Sequence, residues 1–525
     1  MIGYTTFSFL LLYFGVTFVI YSLSPKQIKW CVLLLGSLTL YFISAKGHVV
    51  SLLACFITSW AAGLWMQSCF DTKRRKEEHA PTEDKKAIRR RYDRIRRVAL
   101  TLGVLSAVSV LLVCKYSNFF IQTANDLFAT HWKELSVVQP LGLSFFALEA
   151  IGYLADVYFG RIKAEKNPLR VLLFLSFMLT VVEGPIAKYA QLGTQLNAGK
   201  ANTYENVSKG FLRVLWGLFK KAVIADRAVI LVNAVFDNYE KHGGFAVAAG
   251  IAFYTLQLYC EFSGVMDIVC GLGEMMGLRL PENFSRPFFS KSIREFWQRW
   301  HITLGVWLRD YVFYGISFSK GIRKLSAITR KRCSPYYAAL IPTSIALFFV
   351  WFTNGFWHGA GWKYIVYGLY YYVLMALGLF LEPLFQKLCA RLKVDRQSKP
   401  FAVFRLLRTF GIVLIGMLIF RAKDLKTAAY MFRAMITDID FSVFVLGHKN
   451  GFNLSLYDYA AIIVGFAAVL LVSILREKDV DIRGKLFALP YPAKIPIYAA
   501  AAFVIIIFGA YGEGYGVVDL IYANF

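Results

Sequence analysis

The sequence predicts an all-α, polytopic transmembrane helical protein, with re-entrant or interfacial helices around a central cavity. Three observations carry this expectation. Of the 525 residues, 57% are hydrophobic, 17% aromatic and only 18% charged, and the mean hydropathy is +0.51. That much apolar surface needs the bilayer as its solvent. Hydrophobic runs of span length recur from end to end with no soluble-looking block between them, so residues 1–525 read as a single membrane domain. Lastly, the net charge of +26 is concentrated in the connections between apolar runs. That is the positive-inside pattern against anionic lipid headgroups, and it points to membrane lipid and to no nucleic acid.

The spans follow in order. Tyr4 to Leu23, Ile28 to Ser44 and Val49 to Met66 each suit one crossing. Met1 to Leu23 lacks a basic leader and a small-residue cleavage site and reads as a retained first span. Lys73 to Arg97 carries twelve Lys or Arg and reads as a solvated cytoplasmic loop or surface helix, with the N-terminus outside. Val98 to Tyr116 and Leu135 to Phe159 cross again, the second carrying Glu149 and Asp156. A carboxylate within such a run lines a polar cavity or finds a partner, and Asp156, near the end of the run, has the alternative of reaching the interface. Leu169 to Pro185 is a further span. Val207 to Asp237, broken by Lys220, Lys221, Asp226 and Arg227, suits a helix lying partly in the interface. Gly244 to Leu278 carries Glu261 and Asp267, and its Gly271, Gly273 and Gly277 miss the dinucleotide fingerprint; Gly273 and Gly277 suit close helix packing. Later spans lie near Ala338 to Thr353, Lys363 to Leu381, Phe404 to Phe420, Tyr457 to Leu475 and Ile495 to Ala510. The basic connections 387–399 and 476–485 belong inside, which places the C-terminus outside.

Two histidines of the 7 occupy apolar surroundings. In EFWQRWHITLGVWLRDY (Glu295 to Tyr311), helical spacing puts Trp297, His301, Leu304 and Leu308 on one stripe and pairs Glu295 with Arg299 on another face. In GFWHGAGW, 57 residues further on, His358 lies among Gly355, Gly359 and Gly361, glycines that let backbone leave the helix or approach a ligand. A neutral imidazole at either place has the chemistry to deprotonate a hydroxyl or thiol; its other reading is a buried histidine satisfied by a carbonyl. Arg299, Arg309 and Asp310 serve as polar clamps on a substrate or as interface anchors, and Trp297, Trp300 and Trp307 as an aromatic belt. The 8 cysteines are scattered without a CxxC pair, and HExxH, Walker and GxSxG motifs are missing, so disulfide, metal, nucleotide and serine-hydrolase chemistry have no support.

These motifs together resemble the membrane-bound O-acyltransferase superfamily, of the bacterial alginate and peptidoglycan O-acetyltransferase type. The matching pieces are SFFALEAIGYLADVY (Ser144 to Tyr158), EGPIAKY (Glu183 to Tyr189), EFSGVMDIVCGLG (Glu261 to Gly273), PENFSRPF (Pro281 to Phe288), the two histidine motifs, and IFRAKD around Phe420 to Ala422. They keep their order over most of the chain, and the resemblance makes residues 1–525 one transferase domain. It implies His358 as the principal catalytic residue and His301 as the second. Trp297, Arg299, Arg309, Asp310, Glu261 and Asp267 are the candidate substrate-binding residues, with no metal. The implied reaction carries an acetyl group from a cytoplasmic thioester, acetyl-CoA, with no bound cofactor, towards an extracytoplasmic polysaccharide. The implied setting is the bacterial inner or cytoplasmic membrane, with a hydrolase-like acetyltransferase partner outside. CEFSG stands where the family has FDFSG, and VFYGISFSK departs from the alginate-type segment after Tyr311, so the acceptor stays open. D-alanyl transfer from a carrier protein to teichoic acid is the nearest alternative. A solute or proton transporter using Glu149, Asp156, Glu261 and Asp267 is another.

Overall fold

The computed structural model describes residues 4–6, 8–45, 48–438 and 454–511. Among them eight helices are long and apolar enough to cross a membrane, and extended pairing is confined to an isolated antiparallel bridge between Phe284 and Trp300. The chain is an all-α, multi-pass membrane protein. Its residues divide into two compact units, one comprising 4–211 and 269–281, the other 212–268 and 282–511. The chain ends, expected outside the cytoplasm, lie beyond the described residues.

In the first unit, helices Gly15–Leu23 and Lys29–Ser44 precede a long hairpin of α1 (Val50–His79) and α2 (Thr82–Leu111). The basic stretch Lys73 to Arg97 is helical on both sides of the Ala80–Pro81 turn. Its charges pair across the hairpin, Lys73 with Asp93 at 2.7 Å and Arg89 with Glu77 at 3.3 Å. The span expected from Val98 to Tyr116 is therefore part of one continuous helical stretch, Thr82–Phe128.

Two expected spans are shorter than the apolar runs that suggested them. The helix in Leu135 to Phe159 is α3 (Leu143–Tyr158). It starts at Gly142, where φ is +68° and a Cβ would lie 1.8 Å from the Val181 carbonyl oxygen, a position open only to glycine. In Leu169 to Pro185 only Pro168–Ser176 is helical, capped by the Asn167 side chain and followed by turns. Hydropathy registered burial at these places, because the segments lie inside protein. Glu149 is buried and accepts from the Ala187 N–H at 3.3 Å; Asp156 is buried too and pairs with Arg161 at 3.0 Å.

In sequence the next elements are α4 (Tyr204–Leu218), a π-helical turn Phe219–Ala225, α5 (Asp226–Asp237) and α6 (Gly244–Met275). Lys220 and Lys221, which suggested an interfacial helix, are buried. Lys220 meets Asp267 at 2.7 Å and Ser263 at 2.8 Å, while Lys221 pairs with Asp226 and with Glu261 at 3.3 Å. Acidic partners on α6 and α5 compensate charges that would otherwise have to reach water. The glycine reading also changes. Gly277 ends the helix at φ +74°, and a Cβ on Gly273 would meet Leu280 rather than another helix. Close approach falls instead at Gly217, where a Cβ would lie 2.5 Å from the Gly264 carbonyl oxygen.

Short α7 (Ile293–Arg299) and α8 (Ile302–Trp307) follow, then basic α9 (Lys320–Arg332) and the spans α10 (Pro335–His358), α11 (Trp362–Arg391), α12 (Lys399–Arg421), α13 (Leu456–Glu477) and α14 (Tyr491–Phe508). α10 and α11 cross with their backbones in contact. A Cβ on Gly355 would lie 2.3 Å from the Tyr364 carbonyl oxygen, and one on Gly368 2.3 Å from that of Trp351. The C-terminal turn of α10, which carries His358, is fixed by this crossing.

Candidate active site

α7 begins on a Ser292 cap that accepts from the Glu295 N–H at 3.1 Å, and Glu295 returns a bond to the Lys291 N–H at 2.8 Å. The expected ion pair between Glu295 and Arg299 is present at 2.8 Å. The expected continuous stripe through Trp297, His301, Leu304 and Leu308 is not. Trp300 is extended and bridges Phe284, the Ser285 N–H reaches the Arg299 carbonyl at 2.9 Å, and His301 adopts φ +48°, ψ +52°. A left-handed histidine costs of order 1 kcal/mol or more and persists only where its surroundings over-determine it.

Asn283, in the connection after α6, supplies that determination. Its carbonyl accepts from the Ile302 N–H at 2.9 Å. Its side-chain Oδ1 lies 3.1 Å from His301 Nδ1, and accepts from the Thr303 N–H at 3.1 Å and the Thr303 hydroxyl at 3.0 Å. The edge of Phe262 meets the His301 ring at 4.9 Å between centroids. His301 is only 2% exposed, and burial pushes its pKa down to about 3, so the imidazole is neutral at physiological pH.

His358, at the end of α10, is 5% exposed and stands among aromatic edges: Trp357 at 5.1 Å, Phe420 at 5.3 Å and Tyr367 at 5.7 Å. Gly359 and Gly361 were expected to give the backbone freedom, yet both are extended at φ −179° and −174°, which any residue adopts. What requires glycine at 359 is space, since a Cβ would lie 2.2 Å from the Tyr364 ring. The Trp357 indole also meets the His301 ring at 5.7 Å. The two motifs, far apart in sequence, thus put both buried imidazoles against one side chain of the second unit.

The remaining expected site residues are distributed around this pair. Trp297 packs on Tyr371 at 4.8 Å, Trp351 at 5.1 Å and Tyr367 at 6.3 Å, so it joins His358 through Tyr367. Arg299 turns to Glu477 at 3.1 Å. Arg309 and Asp310 pair with each other at 2.8 Å on the turn that continues α8, with Arg309 exposed. Glu261 and Asp267 hold Lys221 and Lys220, and Asp267 also takes Arg213 at 2.8 Å, which forks onto Glu282. Among the described residues no group of three or more His, Cys, Asp or Glu side chains could hold a metal ion. Sequence reasoning missed Asn283, Trp357, Tyr367 and Phe420 as parts of the site. Trp357 and Phe420 stand inside the quoted motifs and Tyr367 lies five residues beyond GFWHGAGW, but only the tertiary fold aims them at His358.

Two buried imidazoles that meet one indole, on a multi-pass helical scaffold, offer chemistry suited to acyl transfer within a membrane. Residues 161–328 match the model of the membrane-bound O-acyltransferase family. The chain is 32% identical over 391 residues to Probable alginate O-acetylase AlgI of Pseudomonas syringae pv. tomato, an alignment covering 72% of this chain and 69% of that protein. It is 29% identical to Peptidoglycan O-acetyltransferase of Helicobacter pylori, covering 65% of each, and 29% identical to Teichoic acid D-alanyltransferase of Bacillus subtilis, covering 56% and 71%. The chain belongs to the membrane-bound O-acyltransferase family.

Proposed function

We propose that this enzyme moves an acetyl group from cytoplasmic acetyl-CoA towards an extracytoplasmic polysaccharide, with His358 as principal base and His301 as the second catalytic residue. The observation that carries this reading is the pair of buried imidazoles sharing Trp357. In the step proposed, His358 takes the proton of an acceptor hydroxyl as its oxygen attacks the thioester carbonyl carbon. The C–S bond then breaks, and the proton passes to the leaving thiolate, with His301 orienting or protonating the reacting groups. Trp297 walls the pocket, Arg299, Arg309 and Asp310 meet polar groups of the donor, and Glu261 and Asp267 serve the site by holding the two buried lysines.

Acetyl-CoA is charged and stays inside, whereas envelope polymers lie outside, so the acyl group crosses while its donor does not. The most polar block, Lys73 to Arg97, is assigned to the cytoplasm by its charge. A separate hydrolase-like partner outside would complete transfer to the polymer. The bacterial cytoplasmic membrane is the setting, and the family match, running through residues of both compact units, supports residues 1–525 acting as one transferase domain.

D-alanyl transfer is the second reading, favoured by the identity to the Bacillus subtilis enzyme. Purified protein offered labelled acetyl-CoA and, separately, a labelled D-alanyl carrier decides between them. Label transfer from acetyl-CoA, lost in His358→Ala, is the expected result; transfer from the carrier alone would overturn the acetyl assignment. Efficient polymer acetylation by the isolated chain would remove the need for a partner.

A further inference from the structure

The side-chain amide of Asn283 has a definite orientation. The Thr303 backbone N–H can only donate, and at 3.1 Å it faces one atom of the Asn283 amide, which must therefore be the oxygen. The other end of the amide agrees, because Nδ2 points at Met266 Sδ at 3.2 Å, and a thioether accepts but cannot donate. The same oxygen lies 3.1 Å from His301 Nδ1. An oxygen that only accepts requires a hydrogen on the nitrogen facing it. A neutral imidazole has one N–H, so Nδ1 carries it and Nε2 keeps the lone pair.

We infer that Asn283 is a positioning residue, which reads the direction of the Thr303 N–H and thereby fixes His301 as the Nδ1–H tautomer with the lone pair on Nε2. This deepens the proposed function and rests on it only for the claim that His301 takes part in the reaction. Two features of the backbone make the arrangement specific. The left-handed turn at His301 brings the Thr303 N–H and His301 Nδ1 to one oxygen, and the Asn283 carbonyl, holding the Ile302 N–H at 2.9 Å, fixes the turn itself. Asn283 is 1% exposed, so water does not compete for these bonds. A neutral amide accepts from Nδ1 without adding the charge that a carboxylate would bring, and it leaves Nε2 as the accepting nitrogen of the ring.

Full-length protein in bilayers, labelled with 15N-histidine, reports the tautomer directly. A pyrrole-type signal at Nδ1 and a pyridine-type signal at Nε2 of the resonance absent from His301→Gln are expected; the opposite assignment would overturn the inference without any variant of Asn283 being needed. Kinetics supply the second arm. Asn283→Ala should lower kcat by up to about 10-fold, the lower end of what loss of an orienting hydrogen bond costs elsewhere, with KM for the thioester little changed. Asn283→Asp, which retains an acceptor at the same place, should recover most of that loss. Wild-type kcat in a folded Asn283→Ala protein would also overturn it. Should His301→Ala prove fully active while the tautomer is as stated, the catalytic reading of His301 fails and the positioning by Asn283 stands.

Discussion

His301 and His358 lie against the same indole, yet the chain holds them by different means. His301 is gripped by its hydrogen bond to Asn283 across a strained left-handed turn, whereas His358 ends a long span and is walled by the edges of Trp357, Tyr367 and Phe420. The first arrangement dictates which nitrogen is protonated. The second confines the ring by shape. The difference teaches that a polar anchor and an aromatic wall solve separate problems, the former fixing proton inventory and the latter fixing place.

The comparison is broken most directly at His358. His358→Ala should cost at least about 100-fold in acetyl transfer, the lower end of what a positioned base contributes, with membrane insertion unaffected; unchanged turnover of purified protein would refute the assignment. His301→Ala should cost less, on the order of 10-fold, below the range for a principal base, and a loss equal to that at His358 would make the two residues a single unit. Trp357→Leu removes the surface they share. At about 1 kcal/mol for an aromatic edge contact, it should slow turnover by roughly fivefold, and a kcat indistinguishable from wild type would show that the indole is filler.

The smallest effect concerns acid stability. Burial lowers the pKa of His301 from the ordinary imidazole value of about 6.5 to about 3. Between those values the unfolded chain binds a proton that the folded chain refuses, so stability falls as pH falls through that window. His301→Gln should flatten this part of the dependence of Tm on pH. Equal slopes in the wild-type and His301→Gln proteins would contradict the burial argument.

The fold class was legible because apolar runs of span length have one common explanation. Their ends were not. The run from Leu169 continues into buried turns beyond Ser176, and hydropathy cannot distinguish apolar residues facing lipid from apolar residues facing protein. The basic block from Lys73 was legible as a solvated loop or surface helix, and the hairpin decides for helix, with Lys73 paired to Asp93 across it. At the site, both histidines stood out as imidazoles in apolar company. The break at His301 did not, since it is imposed by Asn283, 18 residues earlier, and no local periodicity encodes a bond over that separation. Lys220 and Lys221 were misplaced for the same reason, their partners Asp267 and Glu261 lying on another helix.

The contact between Gly355 and Gly368 has a mechanical consequence. The two helices meet backbone to backbone there, and near the start of α10 they are tied again, Tyr336 Oη donating to the Leu379 carbonyl at 2.6 Å and Tyr337 Oη to that of Phe380 at 3.2 Å. Pinned at two levels, α10 and α11 form a brace. His358 is three residues from Gly355, about 4.5 Å along the axis, and so takes its place from the stiff end of that brace.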